Sequence, residues 1–145
     1  MKNLVNKELK QFNLLVSEIN SVYHEAALKN KLSDSSMIIL YTICNFGEEC
    51  LLSHIVQASG TSKQTINSAL RKLEAEDILY LEKADGRNKK VCLTEKGKEF
   101  VKEAVIPVLH IENEIFDTWS PEEKEFYLKL TKRYLTTFKE KVKEL

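Results

Sequence analysis

The apolar residues of this chain fall three and four apart along nearly its whole length. The exception is residues 78–93, where they fall two apart around an Asp-Gly pair. A period near 3.6 buries one side of a helix and a period of two buries one face of a strand, so the pattern predicts a mainly helical protein with one small β-hairpin. Leu4/Val5, Leu9, Phe12, Leu15/Val16, Ile19, Val22/Tyr23 and Ala26/Ala27 mark a first amphipathic helix of about seven turns. A second helix starts at Ser33, an N-cap residue type, carries Met37, Ile38, Leu40, Tyr41 and Cys44, and stops at Gly47. A short third helix has Leu51, Leu52, Ile55 and Val56 as its inner face. After the break Ala58-Ser59-Gly60-Thr61-Ser62, a fourth runs from Lys63 to near Glu76.

Strands are expected at Ile78–Lys83 and Lys89–Leu93, around the turn Ala84-Asp85-Gly86-Arg87-Asn88. Thr94 then caps a long helix reaching Thr118, with a kink at Pro107, whose missing N–H and bulky ring disturb the preceding turn. Ser120-Pro121-Glu122-Glu123 opens a last helix through Phe126, Leu130, Tyr134 and Phe138: Ser as cap, Pro at the first position and Glu at the third.

At 145 residues the chain is expected to form one domain, 1–145, with no repeat and no low-complexity tract. No apolar run approaches the roughly 20 residues of a membrane helix, and Met1-Lys2-Asn3-Leu4 leads into charged, periodic sequence rather than a secretory signal. Cys44, Cys50 and Cys92 are odd in number and form no CxxC pair, as expected of a cytoplasmic protein. The 22 Lys and Arg balance 22 Asp and Glu, but locally the signs separate. Thr61–Lys72 holds Lys63, Arg71 and Lys72 with no acid, and Lys83–Lys90 holds Lys83, Arg87, Lys89 and Lys90 against Asp85 alone.

A helix, a tight turn, a capped polar helix and a basic hairpin, in that order, make a winged helix-turn-helix. A reader of the DNA major groove needs a helix with one apolar face for anchorage and an opposite face that addresses base edges and phosphates. Ile66, Ala69, Leu70 and Leu73 supply the first face. Ser62, Lys63, Gln64, Thr65, Asn67, Ser68, Arg71 and Lys72 supply the second, and the hairpin adds Asp85, Arg87, Lys89 and Lys90 as candidate contacts to the phosphate backbone or a narrow minor groove.

Leu51–Gly97 resembles the MarR family of bacterial transcriptional regulators. The carriers of the resemblance are Thr61-Ser62-Lys63-Gln64-Thr65-Ile66-Asn67-Ser68-Ala69-Leu70-Arg71-Lys72-Leu73-Glu74 and the wing, Asp85-Gly86-Arg87 followed by Leu93-Thr94-Glu95-Lys96-Gly97. It implies a recognition helix in the major groove, Arg87 in the minor groove, and Asp85 holding the arginine side chain or the wing base. It implies a repressor built as a homodimer on long terminal helices (1–32 and 98–145) around the DNA-binding module 33–97. The partner is double-stranded operator DNA of pseudo-palindromic sequence, released by a small-molecule effector between the dimer helices and the winged module. Tyr23, His24, Tyr41 and Trp119 are the candidates to line that pocket. Asp77 stands where the family often has Gly at the end of the recognition helix. The dimer also has support from Phe12, Trp119, Tyr127, Tyr134 and Phe138, more aromatic area than one small core requires. Pro107 is the expected flexing point between wing and dimer interface.

Other readings attach to the same residues. Cys50, just before a helix start, is the candidate for a thiol-redox sensor, although Glu48 and Glu49 beside it oppose a lowered pKa. A metal-responsive variant would draw on His24-Glu25 or His110 with Glu114, pairs without a distinctive ligand spacing, so no metal site is assigned. No phosphate loop, nucleophile elbow or HExxH points to an enzyme, and no cofactor and no membrane partner is expected. A module of this fold that docks a ligand or protein without binding DNA is the remaining alternative.

Overall fold

A computed structural model describes residues 2, 4 and 6–145; Val5, expected on the first helix, lies outside the described residues, as do Met1 and Asn3. The chain divides into two units, Met1–Val108 and Leu109–Leu145.

The first unit begins with α1 (Lys7–Lys29), capped by Asn6, whose side chain accepts from the Leu9 amide at 2.7 Å. Then follow α2 (Asp34–Asn45), β1 (Glu49–Leu51), α3 (Leu52–Ser59), α4 (Lys63–Ala75), β2 (Leu79–Lys83), β3 (Lys89–Leu93) and α5 (Glu95–Ala104). Ser33, Ser62 and Thr94 cap α2, α4 and α5 by accepting amide N–H groups with their hydroxyls, each relieving one unpaired donor of a first turn. Ile39, Leu40 and Ile43 of α2, Ile55 of α3, Ile66 and Leu73 of α4 and Val91 of β3 form the centre of the core, all essentially inaccessible. The helix-turn-helix is therefore held by the alternating faces that the sequence shows.

The sheet has three antiparallel strands in the order β1-β3-β2, where two were expected. Cys50 pairs with Val91 and Leu51 with Lys90, so Leu51 belongs to a strand and not to the inner face of the third helix. Three residues carry almost no period of their own; they become a strand by pairing with β3.

The corner between α4 and α5 is clamped by the Leu93–Gly97 segment. Thr94 Oγ1 donates to the Asp77 carbonyl at 2.6 Å and accepts from the Gly97 amide at 2.9 Å, while the Lys96 ammonium donates to the Glu76 carbonyl at 2.9 Å. Gly97 lies so close to Ile78 that a Cβ there would collide with the Ile78 carbonyl. Its role is close approach, because its φ is not among the positive ones. Asp77 takes φ 59, a left-handed conformation that glycine adopts most easily and that Asp tolerates better than most residues.

The helix expected from Thr94 to Thr118 is two helices. The α5 helix ends at Val105, whose φ of −118 departs from helical values, and α6 (Ile106–Asp117) starts with Pro107 in its first turn. Proline suits a first turn and opposes continuation of the helix before it, so the expected kink becomes a break. The second unit holds most of α6 and α7 (Pro121–Val142), which opens with the expected capping box: Ser120 Oγ accepts from the Glu123 amide and Glu123 accepts from the Ser120 amide. These bonds hold the Glu123 carboxyl below its usual range. None of the residues of α7 is buried; Phe126, Leu130, Tyr134 and Phe138 are all exposed.

Candidate nucleic-acid interface

On α4, Ile66, Ala69, Leu70 and Leu73 are buried, which at 100° per residue turns Gln64, Ser68 and Arg71 directly outward. Lys63 and Asn67 lie on one flank, Thr65 and Lys72 on the other. Three of the polar candidates, Ser62, Thr65 and Ser68, are engaged locally. Ser62 Oγ accepts from the Thr65 amide at 3.2 Å and lies 2.9 Å from Thr65 Oγ1, and Ser68 Oγ donates to the Gln64 carbonyl at 3.2 Å. Ser62 and Thr65 thus fix the helix start, while Gln64, Asn67 and Arg71 keep the longer side chains suited to base edges.

The wing turn is closed by the Asn88 amide donating to the Asp85 carbonyl at 3.2 Å, with Gly86 at φ 65. A positive φ at this place is the reason for an Asp-Gly sequence. Asp85 takes part in the turn through its backbone carbonyl; among the described residues no ion pair joins its carboxylate to Arg87, which is exposed.

Lys63 and Asn67 of α4 meet Arg87, Asn88 and Lys89 of the wing around a cleft of about 530 Å³, closed on its third side by Leu52, Ser53, Val56 and Gln57 of α3. Its lining carries three cations and no carboxylate. Lys83 pairs directly with Lys89 at the wing neck, a like-charge juxtaposition that weakens the free sheet and that a polyanion would relieve. Neighbouring residues on a strand face opposite ways, and Lys90 accordingly turns from the cleft to Glu49 at 3.2 Å and Glu82 at 3.4 Å, which raise its pKa. Lys89 and Lys90, both candidate DNA contacts, thus differ in their surroundings: Lys89 lines the cleft and Lys90 is ion-paired across the sheet. Ser53, Gln57 and Asn88 were not singled out from sequence; Ser53 and Gln57 stand one turn apart on α3, a spacing that would have shown them on one face.

The other candidates are placed as follows. Tyr23, His24 and Tyr41 line a second cleft of the first unit, about 430 Å³ in volume. Trp119 belongs to the second unit, stacked on Phe116 at 4.7 Å and edge-on to Tyr127 at 5.2 Å. Cys50 is buried in β1, and burial followed by the nearby Cys92 pushes its thiol up from 9.0 to about 11. A reactive sensor thiol needs the reverse, an exposed and electropositive setting, which argues against the alternative of Cys50 as a sensor. Among the described residues no group of three or more His, Cys, Asp or Glu is placed to hold a metal ion, and no helix is long and apolar enough to cross a membrane.

This arrangement, a short strand, two helices across a tight turn and two further strands that complete the sheet, is a winged helix-turn-helix. Residues 31–88 match the family model described as MarR family. The regulator NMB1585 of Neisseria meningitidis, itself a MarR family member, superposes with a TM-score of 0.82 over 96% of this chain and 99% of its own, at 17% identity. MepR of S. aureus, solved as a DNA complex, gives 0.64 over 89% and 96% at 19% identity. BpsR of Bordetella bronchiseptica, whose DNA binding is regulated by 6-hydroxynicotinic acid, gives 0.59 over 91% and 98% at 20% identity. No curated protein sequence matches the chain. The chain has the fold of the MarR-family transcriptional regulators over almost its whole length, and its match to the family's sequence model runs from Lys31 to Asn88, ending in the wing turn before β3.

Proposed function

We propose that the protein is a homodimeric repressor that binds pseudo-palindromic operator DNA and is released by a small-molecule effector. The observation that carries this reading is the cleft where Lys63 and Asn67 of α4 converge with Arg87 and Lys89 of the wing, lined by three cations and free of carboxylates. Helix α4 enters the major groove with Gln64, Asn67 and Arg71 at base edges. Arg87 enters the minor groove, and Lys63, Lys72 and Lys89 neutralise phosphates. Asp85 and Ser62 shape the wing and the helix start.

The dimer is supported by the exposed apolar residues of the terminal elements. A helix of 22 residues with none buried draws too little stability from propensity alone, and Phe126, Leu130 and Phe138 together form an apolar stripe of the kind that subunit interfaces cover. Two-fold pairing would set two copies of α4 about one DNA turn apart, matching a pseudo-palindrome. The second cleft supports an effector site. It joins α1 and α2 to Ser59 and Thr61, whose hydrogen bonds close the turn that starts α4. An effector that favours another spacing of the recognition helices releases DNA by population shift.

The test is retardation of duplex DNA from upstream of the protein's own gene beside an unrelated duplex. Salt-sensitive binding preferential to the upstream duplex, at two chains per site, is expected. Equal binding to both duplexes, followed by no enriched sequence in genome-wide selection, would leave a docking module of this fold.

A further inference from the structure

The two clefts of the first unit differ in charge. The DNA-facing one holds Lys63, Arg87 and Lys89 with no acid, whereas the one between α1, α2 and the turn into α4 has one carboxylate, Asp34, one imidazole, His24, and no Lys or Arg among its lining residues. His24 Nδ1 lies 2.7 Å from Asp34 Oδ1. With a neutral imidazole this lining carries one negative charge, and with an imidazolium it carries none; in neither state is it positive. The remaining walls include Met37, Ile38 and the rings of Tyr23 and Tyr41, which meet edge-on at a centroid distance of 6.4 Å. At about 430 Å³ the cleft has the size of small-molecule sites.

We infer that this cleft takes an arylalkylamine, an aromatic ring bearing an ammonium group on a short alkyl chain, with Asp34 as counterion to the ammonium group, and discriminates against aromatic carboxylates. The inference rests on the reading of this cleft as the effector site and adds the ligand class. An ammonium gains the Asp34 carboxylate and a cleft walled in part by the rings of Tyr23 and Tyr41, whose π-electrons favour a cation over an anion. A carboxylate meets Asp34 as a like charge and finds no Lys or Arg in the lining to offset its desolvation. The effector named for BpsR, 6-hydroxynicotinic acid, has such a carboxyl group, so the ligand class here differs from that relative's. The positive charge of the DNA-facing cleft adds to the discrimination, because an organic cation is repelled there and drawn to Asp34.

Three probes of one ring differ in charge: tyramine, 4-hydroxyphenylacetamide and 4-hydroxyphenylacetate. Calorimetric titration of the full chain near neutral pH should rank them in that order, with tyramine tighter than the carboxylate by roughly tenfold or more. Asp34→Asn should narrow that gap to within roughly threefold by weakening tyramine, while Asp34→Glu, which retains the charge in the first turn of α2, should preserve the ranking. Ile38→Trp, which fills the cleft, should abolish binding of all three. Tightest binding by the carboxylate, still lost in Ile38→Trp, would overturn the charge assignment and leave the effector site standing. A tyramine preference untouched by Asp34→Asn would overturn it as well. No binding by any of the three would remove the ligand class and the effector reading together.

Discussion

Lys89 and Lys90 are neighbours of the same type with opposite electrostatic fates. Lys90 is shared by Glu49 and Glu82 across the sheet, and Lys89 faces the carboxylate-free cleft. Lys90→Ala should therefore change DNA affinity by less than roughly twofold, while Lys89→Ala should lower the salt slope by about one unit per chain. Arg87→Ala should cost about 1–3 kcal/mol of DNA binding with the dimer intact, measured by retardation beside analytical ultracentrifugation. Equal losses for Lys89 and Lys90 would mean the wing presents its other face to DNA. The cysteines give a pH prediction. Burial raises both Cys44 and Cys50 from 9.0 to about 11, so the folded state holds these protons more tightly than the unfolded chain. Their contribution to stability is complete below pH 9 and is lost as pH rises through about 11, and denaturant titrations across that range should show the decline. Near neutral pH neither thiol should react with a thiol reagent until the protein is unfolded, and rapid labelling of Cys50 in the folded protein would restore it as a sensor candidate.

The elements were legible where their signals are local. Ser33, Ser62, Thr94 and Ser120 cap their own helices through side chains a few residues from their partners, so sequence placed those starts correctly. The outward face of α4 was equally legible, because four apolar residues at helical spacing fix the rest by rotation. The three-residue strand β1 was not, since its strand character exists only in register with β3. The Lys90 ion pairs depend on the same register, although the alternation of Lys89 and Lys90 could have been read from the strand period. The sequence predicts a kink at Pro107, and the structure shows a full break at Val105, between α5 and α6. Pro107→Ala should restore helical hydrogen bonding across this point and reduce effector-linked DNA release, read by hydrogen exchange at residues 103–109 and by retardation. Unchanged release would show that the break is not the flexing element. The clamp at Gly97 belongs at this scale too. Gly97→Ala forces the start of α5 off the Ile78 carbonyl and should destabilise the fold by about 1–3 kcal/mol in denaturant unfolding. Full stability in that variant would contradict the tight docking of α5 on the end of α4.

For the whole molecule, net charge was a poor guide: 22 cations against 22 acids conceal one cleft of three cations and another with a lone carboxylate. The account requires two copies, because one recognition helix reads only half of a pseudo-palindrome. Leu130→Glu with Phe138→Glu, on the exposed stripe of α7, should give monomers by ultracentrifugation and abolish operator retardation at concentrations where the wild type binds. The most direct test of the central claim is the dependence of affinity on salt for the duplex upstream of the gene, compared between wild type and Arg87→Ala. Arg87 with Lys63, Lys72 and Lys89, in two copies per dimer, predicts a log–log slope of about −7, reduced by about two units in the variant, with preference over an unrelated duplex. A shallow slope that Arg87→Ala leaves unchanged would contradict a DNA-binding role for the cleft between α4 and the wing.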